Sequence, residues 1–166
     1  MANILAAAEA ARVLRLDPTD ALLADMLPQI DALIKQATGR DWALDSPVHP
    51  LAKRAAMCRI AVDYDLGAMN QSQIDVMERS YVAAVMQLET ITTNLQAVQN
   101  VNAAVRVVDM VTYLISSALG LNLIDYNQLL YAGQYNVAQT ILNGKPYADV
   151  AAIQTALDTA VKVVLP

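Results

Sequence analysis

Along the first hundred residues the apolar positions recur at intervals of three and four, the spacing of amphipathic helices rather than strands. Asn3 is placed to cap a short helix over Ile4 to about Val13. Leu14-Arg15-Leu16 leads into Asp17-Pro18-Thr19-Asp20, a turn whose last Asp can cap a second helix. In that helix Leu22, Leu23, Met26, Leu27, Ile30, Leu33, Ile34 and Ala37 form one stripe, while Asp25, Gln29, Lys35 and Gln36 face water. Asp31 and Lys35 are spaced for an i,i+4 ion pair. Pro28 inside the pattern is expected to kink or split the helix, and Gly39 to end it.

After Arg40-Asp41-Trp42 and a loop with Pro47 and Pro50, a third helix is expected from about Leu51 to Asn70. It is apolar over most of its circumference, as a central core helix should be. A fourth begins near Ser72, where Ile74, Met77, Tyr81, Ala84, Leu88, Ile91, Leu95 and Val98 keep a heptad spacing. That stripe has two readings, packing within the chain or contact with another subunit. Thr90 to Asn94 has weak helix preference, so a break between residues 90 and 100 is expected to divide the chain into 1–95 and 96–166. Beyond it Val101 to Leu119 suits helix or strand by propensity, with helical spacing and Gly120 favouring a helix. Asp125 can cap a segment over Tyr126–Leu142 weakened by Gly133, Asn143 to Pro146 forms a turn, and a last helix covers about Asp149 to Val164. The fold class is all-α, with a helical bundle followed by a second small helical unit.

Composition sharpens this picture. Of 166 residues 56% are hydrophobic, yet there is no Phe and one Trp, so Ala, Val and Leu must fill the core. The net charge is −5, with eight Lys/Arg against twelve Asp/Glu in 1–95 and three against four in the rest. Without a basic stripe the chain is a poor candidate for gripping nucleic acid, which is held through its phosphates. Cys58 is the single cysteine, so it forms no intrachain disulfide and reads as a small buried thiol. Met1 to Ala11 lacks the basic region of a secretory leader, and no apolar run approaches the ~20 residues of a membrane span, so a cytoplasm-like environment is expected.

Catalytic chemistry has little to work with. His49 is the only histidine, which excludes a multi-histidine metal site within one chain, and its place between Val48 and Pro50 reads as a turn or cap. Asp63 and Asp65 sit two apart on a helix and point away from each other, with Arg59–Asp63 the evident pair. None of Gly67, Gly120, Gly133 or Gly144 lies in a phosphate-binding loop. The expectation is a protein with no catalytic, cofactor-binding or metal-binding residues.

Residues 2–90 carry a short helix, Leu14-Arg15-Leu16-Asp17, an acidic turn, an amphipathic helix closing on Thr38-Gly39-Arg40-Asp41-Trp42, a Pro-containing loop and an Ala-rich helix ending near Tyr64. This order resembles the small head–tail connector (adaptor, or DNA-packaging) proteins of tailed bacteriophages. That family shows an Arg or Glu-Asn-Arg soon after the Tyr, where this chain departs with Asp65-Leu66-Gly67-Ala68-Met69-Asn70. The resemblance implies a head-completion subunit in a closed homo-oligomeric ring matching the twelve-fold portal. Its partners would be other copies, the portal protein, a tail-completion protein and DNA passing non-specifically through the lumen. It would be assembled in the host cytoplasm and reside in the virion neck, with no membrane. Residues 96–166 resemble a small helical repeat of bacterial surface-layer proteins through Leu119-Gly120-Leu121-Asn122-Leu123, Asp125 to Leu129, Val137-Ala138-Gln139 and Tyr147 to Leu157. The competing reading is therefore a non-catalytic helical interaction or cell-surface module. Candidate subunit-interface residues are Arg40, Trp42, Ile74, Met77, Tyr81 and Leu88, with Trp42 read first as a core anchor following the helix stop.

Overall fold

The computed structural model describes residues 3–65 and 69–165. Among these the chain is all-α, with eight α-helices, one short 3-10 turn and no strand. It divides into two compact units, Met1–Thr92 and Thr93–Pro166, each with its own apolar core.

The first unit opens with helix α1, Ala7–Leu14. Asn3 does not cap it. Ile4 and Leu5 are buried ahead of the helix, and the Ile4 N–H donates to both carboxylate oxygens of Asp31 at 3.2 and 3.3 Å, which holds this segment out of the helix. Ala6 takes the cap position instead, and Glu9 reaches back to accept its N–H at 3.0 Å. The helix ends on Arg15 at φ 56°, ψ 40°, a left-handed conformation that costs a non-glycine residue about 1–2 kcal/mol.

Helix α2, Ala21–Thr38, begins at Asp20, whose side chain accepts the Leu22 N–H at 2.9 Å. It runs through Pro28 without dividing, and that proline lies on the exposed side, where solvent can reach the carbonyl it leaves unpaired. Gly39 stops it at φ 72°, a left-handed position. Leu23, Leu27, Ile30 and Ile34 of the expected stripe are buried, whereas Leu22 and Leu33 are exposed. The expected Asp31–Lys35 pair does not form, because Asp31 is taken by the Ile4 N–H and Lys35 meets Asp41 at 2.9 Å.

The 3-10 turn Trp42–Leu44 leads to α3, Pro50–Asp65. Pro50 stands at the first helical position, and the His49 Nδ1 just before it accepts the Leu51 N–H at 3.2 Å. His49 is thus a cap. Ala52, Ala55, Ala56, Ile60, Ala61 and Val62 are all buried, and small alanines let α1 and α2 pack closely on this helix. The departure at Leu66-Gly67-Ala68 lies outside the described residues.

Helix α4, Gln71–Ala103, continues unbroken through residues 90–100, so the two units part at Thr92–Thr93, inside the expected window, without a break in the helix, and the weak propensity of Thr90 to Asn94 is overridden. Ala84 and Leu88 belong to the first core, Ala97, Val98 and Val101 to the second. Burial on both sides of the weak stretch supplies what propensity does not.

In the second unit, the expected helix from Val101 to Leu119 divides into the end of α4 and a separate α5, Val107–Leu114. The Lys145 ammonium supplies the physical reason, donating to the carbonyls of Asn102 and Ala104 where the helix would otherwise continue. Successive turns then reach Gly120 at φ 59°. The segment expected over Tyr126–Leu142 is likewise two helices, α6 Ile124–Gln128 and α7 Tyr131–Asn143, parted at Leu129-Leu130. Asp125 lies inside the first turn of α6 rather than capping it. Gly133 reflects packing, since a Cβ there would stand 3.2 Å from a Val164 methyl and 3.3 Å from the Leu129 Cβ. Helix α8, Val150–Val164, starts where expected, with Asp149 accepting the Ala152 N–H at 2.8 Å.

Candidate interaction surface

The six residues singled out from the sequence occupy different environments within the first unit. Trp42 is only 2% exposed. Its indole N–H donates to the Thr38 hydroxyl at 2.8 Å, and that hydroxyl donates to the Ile34 carbonyl at 2.8 Å. The Arg40 guanidinium lies 4.8 Å from the Trp42 ring centre and pairs with Asp45 at 2.6 Å. Arg40 and Trp42 therefore form one structural lock at the end of α2. Leu88 is fully buried in the same core, so neither it nor Trp42 offers surface to a partner.

Tyr81 is half-buried against this core, with the Arg59 guanidinium 6.0 Å from its ring and Arg59 itself paired to Asp63. Burial raises the Tyr81 hydroxyl's pKa, with Arg59 opposing the rise. Ile74 and Met77 are half-buried on the same side of α4. The heptad stripe is thus mainly an inward face within each unit. Ile74 and Met77 retain accessible area, and Leu95 is exposed.

The opposite face of α4 was not singled out by the heptad pattern. Val82 and Met86 are more than half exposed there, one helical turn apart, with Asp75, Glu78, Arg79 and Glu89 around them. Between Gln71 and Ala83 no side chain is buried. The signal in the sequence is an apolar pair four residues apart inside an acidic stripe, which a search for the strongest periodicity passes over.

The second unit carries fewer charges and several exposed apolar side chains. Val108 lies exposed on α5 and Val105 and Ile115 just beyond its two ends, and an open, mainly apolar groove of about 840 Å³ runs between α7 and α8, with Thr140, Ala152, Ala156 and Val163 among its walls. The Tyr126 hydroxyl is buried and has no hydrogen-bond partner among the described residues, and burial raises its pKa, Tyr131 adding to the rise.

As for chemistry, Cys58 is buried and burial pushes its thiol's pKa up, away from the reactive thiolate. Asp31 carries the largest shift, its carboxyl raised to about 6 by burial against the opposing Ile4 hydrogen bond, with nearby Asp41 adding to the rise. Among the described residues no group of three or more His, Cys, Asp or Glu could hold a metal ion. No helix among them is long and apolar enough to cross a membrane. No family model, no curated protein and no solved structure matches the chain.

Proposed function

We propose that this chain is a non-catalytic structural subunit, a phage head–tail connector that assembles as a ring between portal and tail. The observation carrying the reading is the order of signals in residues 2–90: Leu14-Arg15-Leu16-Asp17, the Asp20-capped amphipathic helix, the Gly39 stop with Trp42 behind it, and the alanine-rich helix ending near Tyr64. Each has a folding role in the first unit, which supports a shared scaffold for the first three helices. The acidic balance suits a lumen through which DNA must slide, since a wall rich in Lys and Arg would hold phosphates and impede passage. The shell of exposed apolar and charged residues on α4 is consistent with a subunit that completes its burial on neighbours. In this reading the partners are further copies, the portal protein and a tail-completion protein, and the second unit is an accessory module on the ring.

The direct test mixes the full chain with a purified portal ring and follows the mixture by light scattering and electron microscopy. The expected result is a stacked ring of added mass on one end of the portal. A portal that stays bare at saturating concentrations of the chain sinks the connector reading.

A further inference from the structure

We propose that the joint between α4 and α5, residues 104–106, is a two-position switch. In a single copy Lys145 holds it bent; on release α4 runs straight into α5, and two copies exchange their α5 helices. The switch lies wholly within the second unit and does not rest on the connector reading.

The bend has no local cause. Asn102-Ala103-Ala104-Val105-Arg106 contains neither Gly nor Pro, and its alanines favour a continuing helix. Arg106, at the cap position of α5 with φ −110° and ψ 148°, provides no side-chain cap. The turn ahead of α8 supplies the stop instead. The Lys145 ammonium donates to the carbonyls of Asn102 and Ala104, and the Asn102 side chain is tied to both the N–H and the carbonyl of Tyr147. In an uninterrupted helix those two carbonyls would accept the N–H groups of Arg106 and Val108, four residues on. Neither N–H has an acceptor among the described residues. Lys145 thus occupies the acceptors that the helix itself would use, and its release trades one set of hydrogen bonds for another.

The apolar side chains around the joint also carry two incompatible phases. At 3.6 residues per turn, Val101, Val105, Val108, Thr112 and Ile115 fall on one stripe, in line with the Ala97, Val98 and Val101 face that α4 buries in the second core. The bend breaks that alignment. It leaves Val105, Val108 and Ile115 83%, 56% and 54% exposed, and turns Val107, Met110 and Leu114 inward from the opposite side. One phase serves the bent joint and the other a straight helix.

A second copy is required for the straight form. Straightening a lone chain pulls Val107, Met110 and Leu114 away from α7, and each such burial outweighs a single hydrogen bond. Exchange removes this loss, because α5 of each copy fills the place on α7 that the other's α5 has left. The same contacts then form between two chains, the low-cost route to a dimer that a short hinge allows. The occupant is fixed by the site itself: the vacated face of α7 is the one that this sequence of α5 already fits. Covering Val105, Val108 and Ile115 on the second copy favours the exchanged form further.

The test compares the full-length wild type with Lys145→Met, and each with Val105→Pro added, by sedimentation velocity and residue-resolved amide exchange. Lys145→Met removes the ammonium that holds the bend and should dimerise at a concentration about tenfold or more below that of the wild type, the effect of losing a charge-assisted hydrogen bond. In that dimer the amides of Arg106 and Val108 should become protected while those of α5 stay protected. Proline at 105 deletes an N–H that the bent chain leaves unpaired and a straight helix needs, so it should restore a folded monomer. If Lys145→Met does not fold, the wild type at its highest attainable concentration gives the same comparison, with a dimer that Val105→Pro abolishes. Three results overturn the inference: no dimer in either background, a dimer whose Arg106 and Val108 amides exchange as fast as in the monomer, or a dimer that Val105→Pro leaves intact. Each of them leaves the connector reading standing, since that reading is decided by binding to the portal ring.

Discussion

The two units solve the same problem, fixing short helices around an alanine- and valine-rich core, by different means. The first uses charge. Four of the ion pairs lie within it, including Lys53–Glu9 at 2.7 Å between α3 and α1 and Arg40–Asp45 at 2.6 Å. The second uses neutral and carbonyl-directed hydrogen bonds across long stretches of sequence. Asn102 donates to the Tyr147 carbonyl and accepts the Tyr147 N–H, both at 2.8 Å. Gln154 accepts the Asn122 N–H at 2.7 Å and donates to its carbonyl at 3.2 Å. Lys145 caps the end of α4, and the Tyr147 hydroxyl donates to the Ile141 carbonyl at 2.9 Å. The difference teaches that a unit with few charges can fix its turns through amide side chains that imitate a backbone partner. It also means that pH and salt should act mainly on the first unit.

The largest effect that would sharpen this comparison comes from the first core. Trp42→Ala removes a buried ring and leaves the Thr38 hydroxyl without its donor, so a loss of about 3–5 kcal/mol is expected. Hydrogen exchange should then accelerate throughout α2 and α3. Protection unchanged in those helices would mean that Trp42 does not anchor the core.

Next in size is the amide clamp. Asn102→Ala strands both the N–H and the carbonyl of Tyr147, for an expected loss of about 2–3 kcal/mol in the second unit, read as lower protection in α7 and α8. Asn102→Asp should be nearly as damaging, since the carboxylate can accept the Tyr147 N–H but has no hydrogen to donate to its carbonyl. If both variants match the wild type in urea melts, the clamp contributes nothing and the contrast between the units fails.

The smallest effect concerns Asp31. Its folded pKa of about 6 lies above the ordinary 3.8, so between those values the folded state binds more protons than the unfolded one. That contribution is fully present below about pH 4 and is lost as pH rises through 6. Glu9 acts in the opposite sense, its carboxyl lowered from 4.5 chiefly by the Lys53 hydrogen bond, so its contribution fades only at pH below that range. The first unit should therefore be more stable near pH 5 than at pH 7.5. Asp31→Asn, which can still accept the Ile4 N–H, should flatten that slope, and an unaltered slope in urea melts would assign the pH dependence elsewhere.

How much was legible in the sequence follows the same division. In the first unit Asp20, Gly39, His49 and the Arg59–Asp63 pair are local signals, and the structure realises each of them. Asn3 failed as a cap because a contact to Asp31, 27 residues away from Ile4, outweighs local preference. In the second unit α5, α6 and α7 have Arg106, Leu123 and Leu130 at their cap positions, none with a side-chain cap, so their boundaries left no local trace. There the break after α4 is set by Lys145 acting over more than 40 residues, which periodicity cannot register. The candidate interface was only partly legible, because the strongest stripe on α4 marks packing within the chain and the outer face carries too few apolar residues to stand out.

The central claim, a connector whose first unit makes the assembly contacts, is tested most directly by hydrogen exchange on the full chain, free and bound to a purified portal ring. The account predicts added protection in α1 and in residues 71–92 of α4, with α5 to α8 unchanged. Protection gained only within residues 107–164, and none in the first unit, would contradict it.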